Sequence, residues 1–194
     1  MADAAGGRHA QSLIPAPRPL VEAAKFSLLH RGRVLMRGMA IIRIMIVGGP
    51  GSGKTWLARR LGRQYELPIH AVDDEVWDRY GALRAPDDID ARVRRLTAQD
   101  RWIIEGGNSR TYTDRVQRAD AIIRLAPPIW QRLYHVLRRD GLQIRLLRWT
   151  LRYDNLFGAK DRLALQNGRG TAICIEIRSD EELHRLLRVG LEYF

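Results

Sequence analysis

The stretch Gly48-Gly49-Pro50-Gly51-Ser52-Gly53-Lys54-Thr55 decides the fold of this chain. It fits the pattern G-x-x-x-x-G-K-S/T and lies between a β-branched run and an amphipathic stretch. Glycines in this pattern let the backbone turn so that several N–H groups face one concavity. The following helix adds the positive end of its dipole. The sequence therefore predicts a strand–loop–helix unit that binds a polyphosphate.

Two side chains at the end of this loop predict what is bound. Lys54 is placed to reach the outer phosphates of a nucleoside triphosphate. Thr55 is placed to offer its hydroxyl to magnesium, a cation that prefers oxygen ligands and keeps several waters. We therefore expect ATP and Mg²⁺ to bind at residues 48–55.

Outward from the loop, short β-branched runs alternate with amphipathic stretches. The predicted strands cover residues 41–47, 69–72, 102–105, 121–125 and 172–177, and the predicted helices cover residues 54–65, 86–99, 128–139, 144–153 and 180–189. Strand followed by helix, repeated, is typical of a parallel sheet with right-handed crossovers. The pattern predicts one α/β domain over residues 41–194.

Composition limits the class of protein. A chain of 194 residues that is 45% hydrophobic and 28% charged fits one globular domain with a sizeable core. Residues 1–40 are rich in Ala, Gly and Pro, so we predict a flexible extension without chemistry, with Met36 and Met39 as alternative starts. A lone cysteine excludes an internal disulfide. Because no membrane span or secretory signal is evident, we expect a cytoplasmic protein.

The net charge of +11 is weak evidence for a nucleic-acid partner. All but three of the 33 basic residues are arginine, and such a skew arises from coding bias as readily as from selection for a basic surface. The sequence contains no helix-turn-helix or zinc finger. Nucleic acid stays an alternative partner.

Acidic residues follow the second and third predicted strands, where a parallel sheet places its ligands. Asp73 comes directly after residue 72 and would help to hold magnesium or accept a proton. The alternative is a helix start with acids in its first turn, Asp73 to Glu75. Glu105 ends the third strand and would accept from a magnesium-bound water. Gly106 and Gly107 would let a substrate approach the backbone, or would only end the strand.

An arginine-rich segment follows the fourth strand. Asp140 is the sole acid between Trp130 and Arg152, and the arginines are Arg132, Arg138, Arg139, Arg145, Arg148 and Arg152. Guanidinium groups neutralise the charge that spreads over a phosphoryl group during transfer. We predict that Arg138 and Arg139 act in this way, within a small lid around residues 138–160 that closes over the site. A solvated basic face is the alternative for most of these arginines.

These motifs together resemble the adenylate-kinase-like P-loop kinases and, within them, the small bacterial proteins labelled topology modulation protein. The resemblance covers residues 41–187. It rests on the phosphate loop, on His70-Ala71-Val72-Asp73 with Trp77, on Trp102-Ile103-Ile104-Glu105-Gly106 with Ser109 and Thr111, on Arg118-Ala119-Asp120, and on Pro127-Pro128 with Arg132 and Arg138. The stretch from Trp102 to Asp120 is the more specific part.

The resemblance implies a three-layer P-loop NTPase fold, with five parallel strands in the order 2-3-1-4-5, magnesium ATP as donor and a mobile lid. Glu105-Gly106 and Arg110 resemble the Asp-Gly pair and Arg that line the acceptor site of adenylate kinases; here Glu replaces Asp and the spacing is one residue longer. In that group the loop after the last strand packs on adenine. The equivalent residues here are Arg178, Ser179 and Asp180.

The sequence supports three functions. The first is a kinase that passes the γ-phosphate of Mg-ATP to a small molecule, with Gly106, Gly107 and Arg110 at the acceptor. The second is a nucleotide-dependent protein associated with nucleic acid. The third is an NTPase that uses water as acceptor. The acceptor itself is left open: a nucleoside monophosphate, a sugar-like polyol or another molecule would fit.

Overall fold

A computed structural model describes residues 41–193 of the chain. The predicted extension at residues 1–40 lies outside the described residues.

The strands form one parallel sheet. They are β1 (Arg43–Gly48), β2 (Ile69–Ala71), β3 (Trp102–Glu105), β4 (Ala121–Leu125) and β5 (Ile173–Ile177). Their order is β2-β3-β1-β4-β5, and every pair is parallel. Both the fold class and the strand order predicted from the sequence are confirmed.

Helices flank this sheet and connect its strands. They are α1 (Lys54–Tyr65), α2 (Val72–Val76), α3 (Pro86–Thr97), α4 (Tyr112–Arg118), α5 (Ile129–Asp140), α6 (Ile144–Leu156), α7 (Gly158–Asn167) and α8 (Asp180–Val189), with 3₁₀ turns at Ser109–Thr111 and Leu191–Tyr193. Within residues 41–193, no helix combines the length and the apolar character that crossing a membrane requires.

Three of these helices were not among the predicted ones, although α2 matches the alternative interpretation of residues 73–75 as acids in the first turn of a helix. α2 has five residues and α4 has seven, too few for a clear helical period. In α7 the apolar residues are spread around the helix, because Leu163 is exposed whereas Ala164 and Leu165 are buried. No single apolar stripe therefore marks α7 in the sequence.

Several predicted boundaries were wrong by one to three residues. β1 begins at Arg43 and includes Gly48, β5 begins at Ile173, and the predicted second strand loses Val72 to α2. α3 ends at Thr97 and α6 continues to Leu156. α5 begins after Pro128, whose extended backbone (φ −52°, ψ 147°) places it at the N-cap, and ends at Asp140.

Side chains alternate between the two faces of the buried strands and so build two apolar layers. On one face Ile44 and Ile46 pack with Leu57 of α1 and Leu186 of α8. On the other face Met45 packs in a cluster with residues of α3, α4 and α7, including Val93, Val116 and Leu165. The sheet is thus covered on both faces, and its ligand edge lies at the carboxyl ends of the strands.

Asp120 joins two strands at the opposite end of the sheet, where the strands begin. Its Oδ2 accepts hydrogen bonds from the backbone amides of Ile42 (3.0 Å) and Arg43 (2.8 Å). Its Oδ1 accepts from Nη2 of Arg43 at 2.8 Å, and this carboxylate raises the pKa of Arg43. One buried side chain therefore ties the start of β1 to the start of β4.

Replacing Asp120 by Asn should destabilise the sheet, since the amide NH₂ would face donors that now meet a carboxylate. We expect Asp120→Asn to lower the free energy of unfolding by about 2 kcal/mol, measured by urea denaturation. Asp100→Asn, which removes the same charge from an exposed site, should change it by less than about 0.5 kcal/mol. Equal losses in the two variants would contradict the assignment.

Candidate active site

The phosphate loop has a backbone conformation that favours glycine at three points. These are Gly48 (φ 144°), Gly51 (φ 72°) and Gly53 (φ 90°). A Cβ at Gly48 would collide with the carbonyl oxygen of Leu125, and one at Gly51 with that of Arg132. β4 and α5 therefore pack directly against the loop and hold it in place.

Lys54 begins α1 and folds back across the loop. Its Nζ donates a hydrogen bond to the carbonyl oxygen of Gly49 at 3.1 Å. Burial lowers the pKa of Lys54, whereas the nearby carboxylates of Glu105 and Asp73 act in the opposite direction. The ammonium group thus lies where a phosphate would replace the Gly49 carbonyl as its partner.

Thr55 and Glu105 meet at the carboxyl ends of two neighbouring strands. The Thr55 hydroxyl donates to Oε1 of Glu105 at 2.6 Å. Glu105 is 4% exposed and stands opposite Ile46 in the pairing of β3 with β1. The structure therefore brings together two of the three predicted magnesium ligands.

Asp73, the third predicted ligand, lies in α2 with its side chain exposed. Within the described residues it has no hydrogen bond or ion pair, but its negative charge acts to raise the pKa of Lys54. No group of three or more His, Cys, Asp or Glu side chains converges anywhere in residues 41–193. The oxygen donors of Thr55 and Glu105 are of the kind that magnesium prefers.

The predicted acceptor loop starts directly after β3. Gly106 has a φ of 113°, and a Cβ there would lie 3.2 Å from Cβ of Val72. Gly106 is therefore packed against the residue that precedes Asp73. Asn108 also has a positive φ of 58°, which is uncommon for a residue with a side chain.

The side chain of Arg115 in α4 anchors this loop through hydrogen bonds to its carbonyl groups. It is fully buried, and its guanidinium donates to the carbonyl oxygens of Gly106 (3.0 Å), Gly107 and Asn108 (3.0 Å). The guanidinium lies 4.8 Å from the centre of the Tyr112 ring. Burial lowers the pKa of Arg115 to about 10, so the group carries its charge at neutral pH. Sequence reasoning missed it.

A signal for Arg115 exists in the sequence. Tyr112, Arg115 and Val116 are spaced i, i+3 and i+4, and all three are buried on one face of α4. An arginine on the apolar face of a helix requires internal partners, because a buried charge without them is costly. The seven residues of α4 are too few for that face to be recognised beforehand.

The hydrogen bonds from Arg115 determine where the backbone N–H groups of the acceptor loop point. In a trans peptide the carbonyl and the next N–H point in opposite directions. Because the carbonyls of Gly106 and Gly107 point towards Arg115, the N–H groups of Gly107 and Asn108 point away from it. Within residues 41–193 these two amides donate no hydrogen bond, so they are donors available to a ligand.

Arg110, the predicted acceptor-binding arginine, is engaged by the protein. Its Nε donates to Asp90 at 2.7 Å, and its Nη2 donates to Asp87 at 2.6 Å. Asp90, which is 3% exposed, also accepts from Nδ2 of Asn108 at 3.0 Å. Burial opposes the ionisation of Asp90, but the hydrogen bonds from Asn108 and Arg110 keep its pKa below the usual value. The acceptor loop is thereby tied to the first turns of α3.

Arg132 is the arginine in closest contact with the phosphate loop. It is 2% exposed, and a Cβ at Gly49 would collide with its guanidinium. Its Nη2 forms an ion pair with Asp154 of α6. Nearby on α5, Nδ1 of His135 lies 2.9 Å from the carbonyl oxygen of Gly51. The sequence favoured Arg138 and Arg139 for transfer; it named Arg132 only in the arginine-rich segment and in the family resemblance, and it did not single out His135.

Arg138 and Arg139 lie at the exposed end of α5. Nε of Arg139 donates to both carboxylate oxygens of Asp140, at 3.0 and 2.9 Å. Asp140 raises the pKa of Arg139 most strongly, and Asp73 and Glu105 add to this effect. The charges of Asp73 and Glu105, the two acids beside the phosphate loop, therefore act on Arg139.

A buried carboxylate connects the predicted lid segment to the acceptor side. Asp161 of α7 accepts hydrogen bonds from the hydroxyls of Tyr112 (2.7 Å) and Tyr153 (3.1 Å). Burial raises the pKa of both tyrosines. Tyr153 also packs against Gly49. The network thus reaches from α4 to the phosphate loop.

The loop after β5 lies beside α5. The Ser179 hydroxyl caps α8 by accepting from the amide of Glu182 at 3.2 Å, and the Arg178 amide donates to Glu182 at 2.6 Å. Asp180 accepts from Nε2 of Gln131 at 2.8 Å. The predicted adenine-packing residues are therefore held next to the helix that covers the phosphate loop.

Comparison with known proteins supports the fold. No family model matches the chain, and no curated protein matches it. Among solved structures, shikimate kinase from Acinetobacter baumannii, in complex with shikimate, is 18% identical with a TM-score of 0.53, covering 76% of this chain and 94% of that one. Shikimate kinase from Bacteroides thetaiotaomicron is 14% identical with a TM-score of 0.54, covering 76% and 99%.

A third similar structure is a gluconokinase from Sinorhizobium meliloti 1021, which is 16% identical with a TM-score of 0.50 and covers 79% of this chain and 93% of that one. All three neighbours are kinases by name. At these identities the likeness concerns the fold alone: residues 41–193 share with these structures a five-stranded parallel sheet flanked by helices.

The contribution of the Arg115 hydrogen bonds can be tested by a substitution that removes the guanidinium group. Arg115→Met keeps the apolar stem but leaves three carbonyls without their donor, so we expect the free energy of unfolding to fall by about 3 kcal/mol. Arg118→Met on the same helix should cost less than about 0.5 kcal/mol, because among residues 41–193 the Arg118 side chain makes one hydrogen bond, a long one of 3.4 Å to the carbonyl oxygen of Gln99. Urea denaturation measures both, and equal costs would count against the structural assignment.

Proposed function

We propose that this protein is a small-molecule kinase that transfers the γ-phosphoryl group of Mg-ATP to a hydroxyl group. The observation that carries the proposal is the phosphate loop, in which Lys54 lies across the concavity and Thr55 touches Glu105. The shared fold with shikimate kinases and a gluconokinase supports it. The acceptor loop at residues 106–108, with two free amides, supplies the second half of the site.

On the donor side, the loop amides and Lys54 would bind the β- and γ-phosphates. Thr55, together with Asp73 and Glu105, would hold magnesium, and that ion would supply positive charge that offsets the negative charge of the phosphates. Arg178, Ser179 and Asp180 are proposed to pack on the adenine, because their loop adjoins α5 beside the phosphate loop.

On the acceptor side, the hydroxyl oxygen attacks the γ-phosphorus as the bond from that phosphorus to the bridging oxygen of ADP breaks. The hydroxyl proton passes to the carboxylate of Asp73 and then to solvent. The products are the phosphate ester, ADP and one proton. Because this reaction needs little covalent help from the protein, positioning and charge supply most of the rate.

The arginines of α5 would complete the site. Arg139 is proposed to leave Asp140 and meet the transferring phosphoryl group, and the support is that the charges of Asp73 and Glu105 also raise its pKa. Arg138 is proposed to act beside it. Closure of the lid segment around residues 138–160 would exclude water, which otherwise competes as the acceptor.

We further propose that the chain belongs with the proteins labelled topology modulation protein. The support is the stretch from Trp102 to Asp120, in which Glu105 contacts the phosphate loop, Arg115 holds the acceptor loop and Asp120 anchors β1. Nucleic-acid association stays a prediction from sequence alone.

The decisive test is Lys54→Ala. Without the ammonium group, the affinity for Mg-ATP by calorimetry should fall, and phosphoryl transfer should fall by at least about 100-fold. Transfer is followed by mass spectrometry of the products formed from Mg-ATP and a panel of nucleotides, sugars and polyols. Arg59→Ala, at an exposed position of α1, serves as the matched control with unchanged activity.

Two results would count against the proposal. Full transfer in a folded Lys54→Ala variant would remove the phosphate loop from the chemistry. Free phosphate as the only product, with every panel member unmodified, would show that water is the acceptor.

Arg139→Ala should separate binding from turnover. Because Arg139 is expected to meet the phosphoryl group during transfer, we expect turnover to fall about 10- to 100-fold with little change in the affinity for Mg-ATP. Arg152→Ala, on the exposed side of α6, should leave both quantities unchanged. If Arg139→Ala and Arg152→Ala behave alike in steady-state kinetics, Arg139 has no part in transfer.

A further inference from the structure

One buried carboxylate lies between the two loops of the proposed site, and no step of the proposed transfer uses it. Asp161 of α7 is 1% exposed. Its two oxygens accept one hydrogen bond each, from the hydroxyls of Tyr112 (2.7 Å) and Tyr153 (3.1 Å). Burying a carboxylate is costly unless hydrogen bonds satisfy its oxygens. The two tyrosines therefore hold Asp161 in place, and Asp161 in turn holds the two hydroxyl groups.

The place of Asp161 in α7 makes it a fixed point. It belongs to the first turn of this helix, where the positive end of the helix dipole stabilises a carboxylate. Further along α7, Ala164 and Leu165 are buried in the apolar layer on one face of the sheet. Because a protein core is close-packed, a displacement of α7 would open gaps in that layer. Asp161 therefore keeps its position relative to the sheet.

One of the two hydrogen bonds leads to the phosphate loop. The ring of Tyr153 is buried and packs against Gly49, since a Cβ at Gly49 would lie 3.0 Å from Cδ1 of that ring. The carbonyl oxygen of Gly49 is in turn the hydrogen-bond partner of Lys54. The bond to Asp161 therefore holds the ring that supports the part of the phosphate loop crossed by Lys54.

The other hydrogen bond leads to the acceptor loop. The ring of Tyr112 lies against the guanidinium of Arg115, 4.8 Å from its centre, and that guanidinium donates to the carbonyl oxygens of residues 106–108. Burial lowers the pKa of Arg115, whereas the negative charge of Asp161 acts to raise it. Asp161 therefore supports the acceptor loop through the ring of Tyr112 and through its charge.

We infer that Asp161 is a positioning residue, which holds the acceptor loop in a fixed place relative to the phosphate loop through the hydroxyls of Tyr112 and Tyr153. The inference rests on the proposed kinase function, because transfer requires the attacking hydroxyl and the γ-phosphorus to be held in line. A misplacement of about 1 Å between two reacting groups costs on the order of 100-fold in rate. Loss of the link should therefore slow transfer more than it weakens the binding of Mg-ATP.

The first test needs neither turnover nor a known acceptor. Amide hydrogen exchange is followed by NMR in the nucleotide-free protein at one hydrogen-bonded amide of each loop, Ser52 (to the Gly49 carbonyl) and Thr111 (to the Asn108 carbonyl).

Each tyrosine hydroxyl is removed in turn, and the loop on the far side of Asp161 is observed. Tyr153→Phe should make exchange at Thr111 at least about threefold faster, and Tyr112→Phe should do the same at Ser52, because each change releases one oxygen of the shared carboxylate. Tyr134→Phe, which removes a hydroxyl at an exposed position of α5, should leave both rates unchanged.

The second test follows transfer to the acceptors that the parent chain phosphorylates. Asp161→Asn keeps the shape of the side chain, but its amide nitrogen cannot accept from the second hydroxyl. Turnover should fall about 10-fold, while the affinity for Mg-ATP by calorimetry changes less than about threefold. Tyr112→Phe and Tyr153→Phe break one link at two points, so the double variant should be no slower than the slower single variant. Asp100→Asn, at an exposed site, should behave as the parent chain does.

The two tests separate this inference from the proposed function. Exchange at the far loop that stays at the parent rate, or rate losses of the single tyrosine variants that multiply in the double variant, would overturn the positioning role of Asp161. Variants that are less stable but keep the parent values in both tests would show that Asp161 serves stability alone. Absence of any phosphorylated product from the parent chain, with the exchange effects as expected, would instead overturn the kinase function and leave the link between the loops standing.

Discussion

The pairing of β3 with both β1 and β2 is the constraint on which the rest of the site depends. Glu105 stands opposite Ile46 of β1 and opposite Ala71 of β2. The carboxyl ends of three strands therefore meet at one edge, and the loops that follow them are forced into contact. The hydrogen bond between Thr55 and Glu105 is the direct product of this register. A shift of one residue in β3 would turn Glu105 to the other face of the sheet.

The fold was largely predictable because its signals are local. A glycine-rich loop between a strand and a helix and the period of β-branched runs locate all five strands, and the family resemblance supplied their order. The partners of the site residues were not predictable, because they come from distant parts of the chain. Arg110 was expected to face a substrate, yet its partner Asp90 belongs to α3, twenty residues away in sequence.

Two of the three buried arginines within residues 41–193 illustrate the same limit. Arg115 and Arg132 are 0% and 2% exposed, in a chain where arginine is the common basic residue and mostly marks solvent-exposed positions. The amino-acid composition therefore gives no indication that these two arginines are buried. Their burial is tolerated because carbonyls or a carboxylate meet each guanidinium. Each one stiffens a loop of the site, Arg115 on the acceptor side and Arg132 on the donor side.

The double anchorage of α6 limits how that helix can travel. Tyr153 is tied to Asp161, its neighbour Asp154 is tied to Arg132, and Thr150 is fully buried. The second half of α6 is thus fastened to the body of the domain, whereas its first half carries exposed residues such as Ile144 and Arg148. Closure of the proposed lid at residues 138–160 therefore has to break the Tyr153–Asp161 hydrogen bond and the Arg132–Asp154 ion pair, unless the movement is confined to the part before residue 150.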